Sequence, residues 1–301
     1  MASPTSVILP TIRQTDVVDQ LADQLGPDDE LLVVCDHETD PVARNVDSLP
    51  VGVRLIVAGE PEGCSGKANA IATAMEAARH DRIVWTDDDF YHPPEWLAEL
   101  QADYDRQGPT TELPFFVGHD LLSKLIEPTY VMGATLGLGL VGVPWGGAVI
   151  FERDDIDEAA FLSDLRTTIS DDGLLGAYLD VSPVKRVRRV DVGGTISESL
   201  ERNTRFMQIA GYFSPYPKLT VPLAAFFFTC CLLFPLPSMV VSTLGMAALY
   251  VHFGLRRWSF LFVYPALVVQ FPLLLYGLHR TFVWGGRRYE WPERFDVVVV
   301  D

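Results

Sequence analysis

The stretch Ile83–Glu95, IVWTDDDFYHPPE, sets three successive carboxylates, Asp87, Asp88 and Asp89, directly after a short apolar run. Pro93-Pro94 then turns the chain and suits the first turn of a helix. On an extended chain alternate side chains share a face, so Asp87 and Asp89 can converge on one cation while Asp88 points away. Hard oxygen ligands at that spacing suit Mg2+ or Mn2+, which complete their shells with water and phosphate oxygens. The plainer alternative is an acidic surface turn in an Asp-rich chain.

Such a cluster needs a scaffold, and the preceding residues read as one. Ser6–Pro10 (SVILP), Glu30–Cys35 (ELLVVC), Val53–Val57 and Arg82–Thr86 are short apolar runs with strand character. Asp16–Leu25 carries Val17, Val18, Leu21, Ala22 and Leu25 on one helical face and is closed by Gly26-Pro27. Lys67–Arg79 is an Ala-rich helix entered through Gly63–Gly66. Strand, helix, strand, strand, helix, strand predicts an α/β fold with a mostly parallel sheet. In such sheets ligands bind at the C-terminal ends of strands, where the three Asp residues fall.

The formal net charge of −17 is unevenly placed: residues 1–217 sum to −20 and residues 218–301 to +3. An acidic first part excludes nucleic acid as a partner, because phosphates demand a basic face. Lys67, Lys124, Lys185 and Lys218 are the only lysines among 23 basic residues. An Asp-rich, Lys-poor surface stays solvated where salt screens its self-repulsion, so a salt-loving source is expected. Cys35, Cys64 and the adjacent Cys230-Cys231 form neither a CxxC pair nor a disulfide pattern, which fits a reducing, cytosolic setting for the polar part. MASPTSVILPT has no basic n-region and no long apolar core, so no signal peptide is expected.

SVILPT, VVCD, GKANAI and the carboxylate cluster together resemble the nucleotide-binding half of a family 2 glycosyltransferase of GT-A fold. The resemblance implies a Rossmann-like nucleotide-sugar-binding domain, a metal on Asp87-x-Asp89, a nucleoside held by Thr11 and Asp36, and Lys67 facing the diphosphate. HPPE is similar to the same region of polyprenyl-phosphate sugar synthases. Pro144–Phe151 (PWGGAVIF) adds Gly146-Gly147, where backbone can approach a ligand, and Trp145, which could stack on an acceptor sugar or simply pack a turn. In TISDDGLLGAYL, Ser170 or Asp171 can cap a helix. The segment also looks like the family's Glu-Asp motif, with Asp171 for Glu and Asp172 as the general base that takes the acceptor's proton. Arg202-Asn203-Thr204-Arg205-Phe206 resembles the (Gln/Arg)-x-x-Arg-Trp motif of ceramide-glucosyltransferase-like enzymes, with Phe206 for Trp. Arg202 and Arg205 would then stabilise the departing diphosphate.

Thr195–Tyr212 reads as an amphipathic helix with Ile196, Leu200, Phe206, Met207, Ile209 and Ala210 on its apolar side. Beyond it, Leu219–Pro237, Ser238–Leu255 and Trp258–Leu278 contain no Asp, Glu, Lys or Arg and approach the ~20 residues of a membrane span. Arg256-Arg257 and Lys218 point to the cytoplasmic side, whereas Arg280, Arg287, Arg288 and Arg294 leave the third run's orientation open. Tyr130–Val143 is apolar but too short and Gly-rich to span. The expected organisation is a catalytic domain at 1–194, an interfacial helix at 195–217, a membrane region at 218–279 and a tail at 280–301.

The expectation is an inverting, metal-dependent transferase attached to the cell membrane. It would move a sugar from a UDP- or GDP-linked donor to a lipid-borne acceptor on the cytoplasmic side. A polyprenyl-phosphate sugar synthase, whose phosphate nucleophile needs no base, is the first alternative; a catalytically silent nucleotide-binding membrane scaffold is the second.

Overall fold

A computed structural model describes residues 3–44, 49–213, 216–278 and 280–300. In chain order it comprises β1 (Thr5–Pro10), α1 (Val17–Ala22), β2 (Glu30–Cys35), β3 (Val53–Val57), α2 (Gly66–Ala77), β4 (Arg82–Thr86), α3 (Trp96–Gln107) and β5 (Thr110–Gly118). Then follow α4 (Leu121–Tyr130), α5 (Gly137–Val141), β6 (Ala148–Glu152), α6 (Glu158–Leu165), α7 (Asp171–Tyr178), β7 (Ser182–Val192) and α8 (Ile196–Phe213). The last elements are α9 (Pro217–Leu233), α10 (Pro235–His252), α11 (Val263–Gly277), β8 (Phe282–Trp284), β9 (Arg287–Glu293) and β10 (Asp296–Val300). They divide into two compact units. One holds Met1–Leu113, Val141–Arg188 and Glu293–Val299; the other holds Pro114–Leu140, Arg189–Pro292 and Val300–Asp301.

The main sheet runs β3-β2-β1-β4-β6-β5-β7. Its β3, β2, β1 and β4 are parallel neighbours, and β6 returns antiparallel to β4. Every residue of β2 and β4 is buried, so both faces of each strand are covered, as parallel strands require. Inside the first unit α2 packs on β1, β2 and β3, and Trp85 of β4 lies against Phe151 and Phe161. Because β6 runs backwards, its start pairs with the end of β4, Thr86 opposite Ala148. That pairing delivers Trp145-Gly146-Gly147 beside the three Asp residues.

In the second unit α11 packs on α4, α8, α9 and α10. Glu127 of α4 is fully buried and fully engaged there. Arg257 donates to it from Nε (2.8 Å) and Nη2 (3.0 Å), Ser259 Oγ donates to Oε1, and the Gly118 amide donates to Oε2. Ser259–Gly277 is the one helical stretch among the described residues long and apolar enough to cross a membrane, and Lys218–Leu233 is a shorter apolar helix. Large side chains of α9 and α10 face outward, among them Phe226, Phe227, Leu233, Val241 and Leu244.

α8, amphipathic by sequence, turns small polar residues inward. Ser199, Asn203, Thr204 and Gln208 are its buried residues, whereas Ile196 and Ala210 are exposed and Leu200, Phe206, Met207 and Ile209 are only part-buried. The cause is a close crossing with α11. A Cβ added to Gly277 would lie 3.1 Å from Thr204 Cα, and Gln208 Nε2 donates to the Gly277 carbonyl at 3.0 Å. Small polar side chains allow such approach between helices whose other faces are apolar.

Candidate active site

Two helix N-termini meet at the C-terminal end of the parallel strands. Ser65 caps α2, its Oγ accepting from the Ala68 amide and donating to the Ile169 carbonyl, while its own amide donates to Thr168. Ser170 caps α7 by accepting from the Gly173 amide. These bonds clamp the two helix starts together and bring Lys67, from α2, against Asp171, from α7. Lys67 Nζ lies 2.6 Å from Asp87 Oδ1 and 3.2 Å from Asp171 Oδ2. Gly146 closes the cluster: a Cβ there would stand 2.5 Å from Asp171 Oδ2 and 3.2 Å from Lys67 Nζ. Only glycine fits.

The cluster is short of positive charge. Burial lowers the pKa of the Lys67 ammonium, but Asp171, Asp87 and Asp172 outweigh it and hold the group charged. Asp171 is 3% exposed and makes no hydrogen bond through Oδ2. Burial raises its pKa, Lys67 opposes the rise, and Asp172 and Asp87 add to it. Asp89 is also raised, first by lost hydration and next by Asp87, although its side chain keeps an edge open to water. Three carboxylates share one lysine, and helix N-termini add partial positive charge suited to an anion. Among the described residues no three His, Cys, Asp or Glu side chains converge as a ready-made metal cage. Two carboxylates with open positions match a hard divalent ion that takes its remaining ligands from water and phosphate, so the donor set fits Mg2+ or Mn2+.

The remaining candidates fall in distinct places. Asp88 turns away, accepting from Thr11 Oγ1 at 2.5 Å and pairing with Arg13 at 2.5 Å. Thr11, buried just after β1, is thereby tied to the acidic loop; Arg13 was not singled out from sequence, since nothing local links it to a residue 75 positions on. Asp36 is buried just after β2, its amide donating to Asp40 Oδ2 and its carbonyl accepting from Gly59. Asp172 is part-exposed; its Oδ1 accepts from Ser170 Oγ (2.7 Å) and the Gly173 amide (2.8 Å), leaving Oδ2 without a hydrogen bond.

Trp145 is 5% exposed and its ring packs on Phe90. Gly147 serves that packing, because a Cβ there would strike the indole at 2.4 Å. Arg202 and Arg205 lie on α8, in the second unit. Arg202 Nη1 is buried without a hydrogen bond, and Arg205 stacks over Trp284 at 4.0 Å. Phe206, standing where the resemblance has Trp, packs among Phe116 and Tyr130.

In a parallel-dominated α/β sheet ligands bind at the C-terminal ends of the strands, where these carboxylates lie. The sequence model described as glycosyl transferase family 2 matches residues 6–157, and the chain belongs to that family of glycosyltransferases. No curated protein matches it. Similar solved structures include glucosyl-3-phosphoglycerate synthase from Mycobacterium tuberculosis in complex with Mn2+ and uridine-diphosphate-glucose (16% identity, 69% of this chain and 79% of that one, TM-score 0.43). The same enzyme with Mg2+ and uridine diphosphate gives 16%, 69% and 77%, and 0.43. A mycobacterial protein gives 18%, 69% and 75%, and 0.41.

Proposed function

We propose that this glycosyltransferase is an inverting, metal-dependent enzyme that moves a sugar from a UDP- or GDP-linked donor to a lipid-borne acceptor at a membrane. The observation that carries the reading is the under-neutralised cluster of Asp87, Asp171 and Lys67 closed by Gly146. Asp87 and Asp89 would hold Mg2+ or Mn2+. When bound, the ion offsets charge on the donor diphosphate and on the leaving nucleotide.

Lys67, released from Asp87 as that carboxylate turns to the ion, would pair with a diphosphate oxygen, and the N-termini of α2 and α7 would add amide dipoles. Thr11 and Asp36 would contact the nucleoside. Asp172 Oδ2 takes the acceptor hydroxyl's proton as that oxygen bonds to the anomeric carbon; the bond from that carbon to the diphosphate oxygen breaks, and the nucleoside diphosphate leaves with its electron pair. Attack from the face opposite the leaving group inverts the anomeric centre. Asp171 holds Lys67 in place. Arg202 and Arg205 are assigned to the diphosphate or acceptor on the strength of the motif alone.

A membrane setting is supported by the apolar Ser259–Gly277 stretch, by the outward Phe and Leu side chains of α9 and α10, and by α8, whose apolar side is the more open one. On this reading residues 1–194 carry the chemistry on the cytoplasmic side, 195–217 lie at the interface, 218–279 enter the bilayer and 280–301 form the tail. The Asp-rich, Lys-poor composition is read as salt adaptation.

The test is transfer of radiolabelled sugar from a panel of UDP- and GDP-sugars in membranes bearing the chain, with Mn2+ and molar KCl, followed by solvent extraction. Label should enter the lipid phase and vanish with Asp89→Ala. Asp172→Asn should lower turnover by about 100- to 10,000-fold, the worth of a general base. Full activity in that variant would favour a phosphate acceptor, as in a polyprenyl-phosphate sugar synthase. No transfer from any donor, with nucleotide still bound, would favour the silent scaffold.

A further inference from the structure

Immediately before the apolar stretch Ser259–Gly277, the second unit holds an open recess of about 440 Å3 lined by Lys124, Arg256, Arg257, Trp258, Ser259, Leu261 and Phe262. Its charge is one-sided. Arg257 is neutralised and oriented by the buried carboxylate of Glu127. Lys124 and Arg256 are exposed, and among the described residues neither makes an ion pair with a carboxylate. The opposite rim is apolar and uncovered: Trp258 is 79% exposed, with Leu261 and Phe262 about half exposed beside it.

We infer that this recess binds the phosphate headgroup of an anionic phospholipid. The two unpaired cations supply the attraction for a phosphate, whereas the Arg257 fork beside them is already engaged by Glu127. A free phosphate ion would satisfy the cations but leave Trp258, Leu261 and Phe262 bare. A lipid satisfies both, its acyl chains covering the apolar rim where an indole belongs at a headgroup level. The inference rests on the membrane setting proposed above and on none of the transferase residues.

The full chain in neutral detergent micelles is titrated at physiological salt with short-chain phosphatidylglycerol, with phosphatidylcholine of equal chain length, and with inorganic phosphate as competitor. Lipid retention is read by native mass spectrometry without any sugar donor. Two interfacial cations predict about thirtyfold tighter retention of phosphatidylglycerol than of phosphatidylcholine. Phosphate should compete weakly. The double variant Lys124→Ala, Arg256→Ala should lose the preference at unchanged Tm, because both side chains are exposed. Equal retention of the two lipids, or a preference that survives the double substitution, would overturn the inference. Displacement of the lipid by phosphate at similar concentration would also overturn it, in favour of a simple anion site. A chain that shows the lipid preference and no sugar transfer would damage only the proposed function.

Discussion

Two buried carboxylates, one in each unit, are treated in opposite ways. In the second, Glu127 has Arg257, Ser259 and the Gly118 amide, so its charge and lone pairs are answered within the protein. In the first, Asp171 shares one lysine with Asp87, feels Asp172 nearby, and keeps Oδ2 without a hydrogen bond. A saturated carboxylate is an anchor, whereas an under-neutralised one marks a place where something positive or polar is meant to arrive.

The largest effect should come from breaking the anchor. Glu127→Ala leaves Arg257 and Ser259 facing an empty buried site and should cost about 3–5 kcal/mol, read as a fall in Tm. Survival without loss would mean that saturation is no sign of an anchor.

His92 offers an intermediate case in the first unit. It is buried, joined to Thr86 at 2.6 Å, and held neutral by burial and by Arg188, with its pKa pushed down to about 3. The unfolded chain takes up the proton near pH 6.5, the folded chain near 3. Stability is therefore unaffected above that upper value and falls with acid below it, by about 1.4 kcal/mol per pH unit. Melts between pH 7 and 4.5 should show this limb, and His92→Gln should flatten it.

Gly146→Ala should cost about 1–3 kcal/mol through overpacking and should abolish donor binding, because its Cβ displaces Asp171 or Lys67. Asp171→Asn should do the reverse of Glu127→Ala. Removing one of the crowded carboxylates should leave Tm unchanged or raise it, within about 1 kcal/mol, while transfer falls, the usual exchange between stability and function. A large loss of Tm in Asp171→Asn would erase the distinction between the two carboxylates.

Most of the first unit was legible in the sequence because its signals are local. ELLVVC and Arg82–Thr86 are apolar runs bounded by polar residues, and both strands fall on those residues. Ser170 reads as a cap and is one. What stayed hidden depends on long-range partners. Arg13 finds Asp88 across 75 residues, and Glu127 finds Arg257 across 130. For Trp145 the sequence leaves stacking on a sugar and packing of a turn equally open; the antiparallel return of β6 places its ring against Phe90. Which side of α8 would be buried stayed hidden for a related reason. Periodicity shows where apolar residues lie, but Gly277 on a helix 69 residues beyond Gln208 decides that the small polar stripe is the one buried.

Pro114–Leu140 belongs with a unit whose other parts begin only at Arg189. During synthesis it must therefore wait. Glu127 emerges from the ribosome 130 residues ahead of Arg257, which at ~5–20 residues per second is a delay of about 7–26 s. Throughout that interval the carboxylate must stay hydrated, and Ile126 and Tyr130 must wait for Leu273, with which they share a core cluster. The nascent chain thus carries an uncovered apolar helix face of its own future core, and its yield in a foreign host should depend on how quickly the last hundred residues are translated.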